Sequence, residues 1–250
     1  MKDAGSLEYA FARLSARYGD RPADGLWRRI EHLRDFEDAL TTVRASALAA
    51  WVVGVGTDAS ADAIEAAARR HWRNLVAEVA GWMPAEWTPS IAWCAHLTDL
   101  PVLLQAAHPA SSPTWLGENP LHEDLAEDAH RGDRGLALLQ AVAADGAPSL
   151  LRAWRAEWAR RLPAPVARWP LLGALVSLLD AHAQVFRAAH PADGWPLRRA
   201  LQARLSVLFR RAALDPSAAF VFLALSALEY ERIRGELLRR RVFPAHPLAA

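Results

Sequence analysis

The sequence predicts an all-α fold, built as a compact multi-helix bundle. Three observations carry the expectation. Apolar residues recur at steps of three and four almost throughout, alanine (53) and leucine (36) dominate the 250 residues, and Val, Ile and Thr together number only 24. Steps of three and four put apolar side chains on one face of a helix. A large sheet needs more β-branched residues than this chain offers.

The helices read in order. Leu7, Phe11, Leu14 and Tyr18 step by 4, 3 and 4, and Asp20 and Pro22 then supply a cap and a first-turn proline for a second helix carrying Leu26, Ile30 and Leu33. Asp35 caps a third, with Phe36, Leu40 and Val43 on its face, and Gly54-Val55-Gly56-Thr57-Asp58 breaks the chain. Beyond Ser60, the residues Ile64, Ala68, Trp72, Leu75, Val79 and Trp82 form one long stripe, with Asp62, Glu65, Arg69 and Arg73 expected to face away from it. Thr88-Pro89 restarts a helix through Trp93 and Leu97, interrupted at Pro101. Three prolines and a glycine make 108–120 a loop, short helices follow at about 121–130 and 133–144, and Asp145 to Pro148 reads as a capped start leading to Leu151, Trp154 and Trp158. Pro163, Pro165 and Pro170 punctuate the entry to an apolar helix ending near Ala189, and His190 to Pro196 reads as a turn. Leu197, Leu201, Leu205 and Leu208 stripe the next helix, and Asp215-Pro216 opens a last one running to about Arg241. No clean period of ~30–45 residues marks a solenoid. The expectation is one all-α domain over 1–250, with loop-marked sub-lobes near 54–60, 108–120 and 190–196.

Composition bounds the function. The single cysteine, Cys94, excludes an internal disulfide and a cysteine-built zinc cluster. The longest clean apolar stretch, Pro216 to Leu228, is short of the ~20 residues that cross a bilayer. No apolar run follows Met1-Lys2-Asp3, so a cytoplasmic location is expected. The net charge of +1 hides an asymmetry. Residues 1–130 hold 11 bases and 19 acids, and residues 131–250 hold 18 bases and 9 acids. Such polarity either neutralises itself on folding or faces a partner.

Catalytic signatures are sparse. Glu123, Asp124, Glu127 and Asp128 lie three and four apart, so Glu123, Glu127 and Asp128 are the candidate Mg²⁺ ligands of an isoprenoid-synthase-like enzyme. That chemistry needs a second acidic cluster on a facing helix, and downstream stand only Asp180, Asp193 and Asp215. His122 and His130 are too far apart on a helix, ~12 Å, to share an ion. Gly54-Val55-Gly56 lacks the lysine and the third glycine of a phosphate loop, and no Gly-x-Ser-x-Gly elbow occurs. His71 and His96, beside tryptophans, read as packed core or boundary residues. The eleven tryptophans read as large core fillers in an alanine-rich chain. Arginines cluster at 198–211 and 232–241 without any nucleic-acid motif, so no nucleic acid is expected.

Both ends of the chain carry a resemblance. Glu229-Tyr230-Glu231-Arg232-Ile233-Arg234, then Leu237-Leu238-Arg239-Arg240 and Phe243-Pro244, is similar to the terminal helix of the central-stalk socket protein of V/A-type rotary ATPases and of its counterpart in eukaryotic V-ATPases. Tyr9-Ala10-x-Ala12-Arg13 resembles that family's opening helix, and Asp35-Phe36-x-x-x-Leu40 its next helix pair. Together these cover about a quarter of a chain that is shorter than the family's usual length.

The resemblance implies an all-α arrangement of helical lobes around a funnel, and a non-catalytic coupling role. Such a protein supports ion transport by linking the membrane proteolipid ring to the central-shaft subunits. Its membrane contact is peripheral, through the ring, and it needs no cofactor. Tyr9, Arg13, Glu229, Tyr230, Glu231 and Arg234 are then the signature residues. Glu229 and Glu231 sit ~200° apart around a helix and cannot share one partner face. Along the helix, Glu229 is in reach of Arg232 and Glu231 of Arg234. A stand-alone helical adaptor is the other non-catalytic alternative.

Overall fold

The computed structural model describes residues 6–107 and 134–243. The fold is all-α, 79% helical and without strands among the described residues, with eleven α-helices in a compact bundle.

Helix α1 (Leu7–Gly19) is capped by Ser6, whose side chain accepts from the Tyr9 amide. Helix α2 (Asp24–His32) starts differently from the sequence expectation. Ala23 holds the cap position with no side-chain bond, leaving Asp20 and Pro22 in the connection. Helix α3 (Phe36–Arg44) is capped by Asp35 as its spacing predicts, with bonds from the Glu37 and Asp38 amides. After a 3-10 turn at Ala49–Val52, the break at 54–58 forms around Gly54, whose φ of +82° favours glycine. Two guanidiniums pin this loop. Arg44 donates to the Val55 carbonyl and Arg241 to that of Asp58, at 2.9 Å.

Helix α4 (Ala61–Trp82) starts at Ser60, whose hydroxyl accepts from the Ala63 amide at 3.1 Å. Ser60→Ala is expected to lower stability by ~1 kcal/mol, the usual value of such a cap, and Ser60→Asp to retain it. Urea denaturation of both variants decides the point. All six stripe residues of α4 are buried. The charged residues beside the stripe do not face away, however. Arg69 is buried, and Glu65 and Arg73 are partly covered, because α4 is packed on two flanks rather than one.

The expected helix through Leu97 is split into α5 (Thr88–Ala92) and a 3-10 segment, Trp93–Thr98, before α6 (Leu100–Ala106) restarts with Pro101 in its first turn. Helix α7 (Arg134–Ala143) precedes α8 (Ala147–Arg160). The cap of α8 is Gly146 at φ +89°, not the acid Asp145. A 3-10 turn at Val166–Arg168 leads into α9 (Pro170–Ala188). The expected turn at 190–196 is a short 3-10 segment, Pro191–Asp193, running straight into α10 (Gly194–Arg211).

Helix α11 (Ser217–Val242) is the hub. It packs against α1, α3, α4, α9 and α10. From Ser217 to Ser226 only Ala224 is not fully buried, so this half is covered on every side. Eight of the ten tryptophans among the described residues are buried, which bears out their reading as core fillers. No described helix is long and apolar enough to cross a membrane.

Candidate functional site

The second half of α11 is unusual because its covered face is charged. Arg232, Glu236 and Arg240 follow at four-residue steps, beside Ile233 and Leu237, and all five are buried. Arg240 is saturated. Its Nε donates to the Leu33 carbonyl at 3.0 Å, and its Nη1 donates to the Glu236 carbonyl and, at 2.7 Å, to the Glu236 carboxylate. Its Nη2 reaches the carbonyls of Ile30 and Leu33. A cation is thereby set against the C-terminal end of α2, where the helix dipole is negative. Arg232 donates to Glu31 at 2.5 Å and lies over Trp27, 4.5 Å from the ring centroid, with Trp195 5.7 Å away.

The signature residues surround this seam. Glu229 pairs with Arg21 at 2.6 Å, both side chains nearly covered. Burial pushes the Glu229 carboxyl up from its ordinary pKa, against the opposing charge and hydrogen bond of Arg21. Tyr230 donates to Glu65 at 3.4 Å and leans on Trp51 and Trp72, at 5.9 and 6.5 Å between ring centroids. Burial first, then the Glu65 charge, pushes its phenol up to about 12, with Arg69 and Arg234 opposing. Arg234 donates to the same Glu65. Glu231 points elsewhere, to Arg198 at 2.5 Å. Glu229 and Glu231 thus take different partners, as their angular separation predicts. The expected i,i+3 pairs, Glu229–Arg232 and Glu231–Arg234, do not form, because each carboxylate finds a cation on another element.

On α1, Tyr9 is half-buried against the core and Arg13 lies over Trp82, 5.2 Å from the ring centroid. Arg13 also approaches Glu78 at 4.0 Å, and Arg17 grips both oxygens of that carboxylate at 2.8 Å. His71 packs edge-on against Trp51 at 4.3 Å. Burial, with a smaller push from Arg17 and an opposing one from Glu78, lowers its pKa from 6.5 to about 4. The unfolded chain therefore binds the proton more readily between these values, and stability falls as pH drops from 6.5 to about 4. The expected loss is ~2 kcal/mol, allowing for the ring's partial exposure. His71→Gln removes that slope. Parallel Tm-against-pH curves for the two proteins over this range would count against it.

A second charged centre was not legible in the sequence. Asp99, fully buried, meets Arg73 at 3.1 Å, Arg69 at 3.6 Å and His96 at 3.1 Å. Burial pushes its carboxyl up, but the hydrogen bond with His96 and the charges of Arg73, His96 and Arg69 outweigh this and hold it below the usual carboxylate range. The α11 face did carry a signal, in the four-residue steps of Arg232, Glu236 and Arg240. Asp99 carried none, since its cations lie 26 and 30 positions back along the chain.

The candidate Mg²⁺ ligands Glu123, Asp124, Glu127 and Asp128, with His122 and His130, lie outside the described residues. Among the described residues no group of three His, Cys, Asp or Glu is arranged to hold a metal. Asp180 is gripped by Arg155 at 2.5 and 3.1 Å, Asp215 accepts from the Ser217 amide at 2.8 Å, and Asp193 is exposed. Cys94 is buried, and burial pushes its thiol up to about 12, so it is no nucleophile. Comparison with protein-family models, curated proteins and solved structures finds no match.

Proposed function

We propose that this chain is a non-catalytic coupling component of a V-type rotary ATPase, linking the membrane proteolipid ring to the central shaft on the cytoplasmic face and supporting ion transport. One observation carries the reading. The helices that hold the resemblance pack together, α1 and α3 both against α11, and Arg21, just past α1, pairs with Glu229 on α11 at 2.6 Å across 208 positions of sequence. A part that passes torque must resist sliding between its helices. Directional, covered ion pairs across helices oppose such sliding better than apolar contact alone. Charge polarity adds support. Glu31–Arg232 and Glu65–Arg234 join the acidic and basic halves, while Arg199, Arg204, Arg210 and Arg211 of α10 form no such pair among the described residues.

The test is affinity purification of the tagged protein from its native membrane. Proteolipid and shaft subunits in stoichiometric amounts are expected. A monodisperse protein that retains neither would sink the proposal. The adaptor reading draws on a different observation: Glu229, Tyr230, Glu231 and Arg234 are all engaged inside the chain. It predicts recovery of another helical partner in the same experiment. Mg²⁺-dependent release of diphosphate from a prenyl diphosphate would instead favour the enzyme built on Glu123, Glu127 and Asp128.

A further inference from the structure

The hairpin of α9 and α10 leaves apolar side chains uncovered. Helix α9 is apolar at most positions, yet only Leu172 and Leu175 are buried. Leu179, Val185, Val207 and Leu214 are all exposed on this hairpin or at its end. Along α10 the outward positions are Pro196, Ala200, Ala203 and Val207, which share one face. Exposed arginines border that face, Arg199 and Arg210 on one side, Arg204 and Arg211 on the other. Helix α10 contains no acidic residue, and none of these four arginines joins an ion pair among the described residues. Where the helices meet, a groove of about 570 Å³ opens between Val185, Ala188, Pro196 and Leu197, with Asp193 at its edge. At the far end Leu214 holds φ +59°, a conformation that L side chains rarely adopt, with its side chain exposed. Glycine would hold that turn without strain.

We propose that this surface docks an acidic amphipathic helix of a partner protein. Its apolar ridge enters the groove and runs along α10 to Leu214, and its flanking carboxylates meet Arg199, Arg204, Arg210 and Arg211. Charge selects the occupant. A face this positive repels a second copy of itself and attracts a negative partner. A docked helix would lay a ridge of side chains along the row Pro196, Ala200, Ala203 and Val207. Membrane-surface helices carry Trp and Phe beside Leu on the face that enters the lipid. Here the two large rings, Phe186 and Trp195, are instead stacked with Arg198, at 4.4 and 5.2 Å. The proposal stands apart from the rotor reading, since it needs neither ring nor shaft.

The test uses the full chain and a labelled helical peptide of ~20 residues, with a Leu/Ala ridge flanked by Glu, alongside its Gln counterpart. Fluorescence anisotropy is expected to show the Glu peptide binding at least ~10-fold tighter than the Gln peptide, with the difference shrinking as salt rises. The double variant Arg204→Glu/Arg211→Glu is expected to abolish that preference. Leu214→Gly is expected to weaken binding while raising Tm, a split that a damaged fold cannot produce. Equal affinity for both peptides, absence of binding, or affinity unmoved by the double variant would overturn the proposal. So would tight binding to phosphatidylglycerol vesicles in place of the peptide, or a dimer in light scattering that Val207→Glu dissolves.

Discussion

Arg240→Met is expected to destabilise the fold by about 3–5 kcal/mol, the usual consequence of removing one partner from a buried charged pair. The substitution preserves much of the stem but removes all five donors. Glu236 is then left covered, with only the exposed Arg239 near it, at 3.3 Å. The Leu33 carbonyl loses Arg240 as its donor as well, and the Ile30 carbonyl retains only the Leu33 amide, at 3.2 Å. The double variant Arg240→Met/Glu236→Leu removes both charges, and it is expected to recover much of the loss. Urea denaturation of the two single variants and the double variant measures this coupling. A double variant no better than Arg240→Met alone would mean that the carbonyls of α2, not Glu236, dominate.

Trp72→Ala is expected to cost about 3–5 kcal/mol. The ring is buried at the middle of α4, and its indole N–H donates to the Cys94 carbonyl at 3.1 Å. Truncation opens a cavity under Tyr230 and strips the 3-10 segment of a hydrogen bond. Trp72→Phe separates the two effects. It retains much of the volume and loses the donor, so a smaller cost, about 1–2 kcal/mol, is expected. Equal losses for Ala and Phe in a denaturant titration would show that the bond, not the packing, is what counts.

Most of the helical layout was legible in the sequence, because apolar spacing and caps act locally. The α4 stripe, its start at Ser60 and the Asp35 cap all follow from residues within a turn or two of each other. What failed was long-range. Periodicity says which residues share a face, not which faces meet, so it sent Glu65, Arg69 and Arg73 to solvent. Glu65 meets Tyr230 and Arg234, which arrive from 165 and 169 positions beyond it, and Arg69 and Arg73 meet the buried Asp99. Pairing within α11 was misjudged for the same reason. Local i,i+3 partners contribute only ~0.2–0.5 kcal/mol, and cations from other elements displaced them. The α8 start went to Gly146 rather than Asp145 because a glycine at positive φ turns the chain sharply into the helix.

The placement of α11 bears on how the chain reaches this state. The segment 217–242 packs against five other helices and bonds to α2 as well, yet it emerges from the ribosome after every one of them. Until it arrives, α1, α3 and α4 can form turns of helix but have no common centre to close upon. Loop closure over such separations is slow compared with local helix growth. Assembly therefore waits for the distal end of this sequence, and an incomplete nascent chain would hold its tryptophan-lined surfaces open to chaperones.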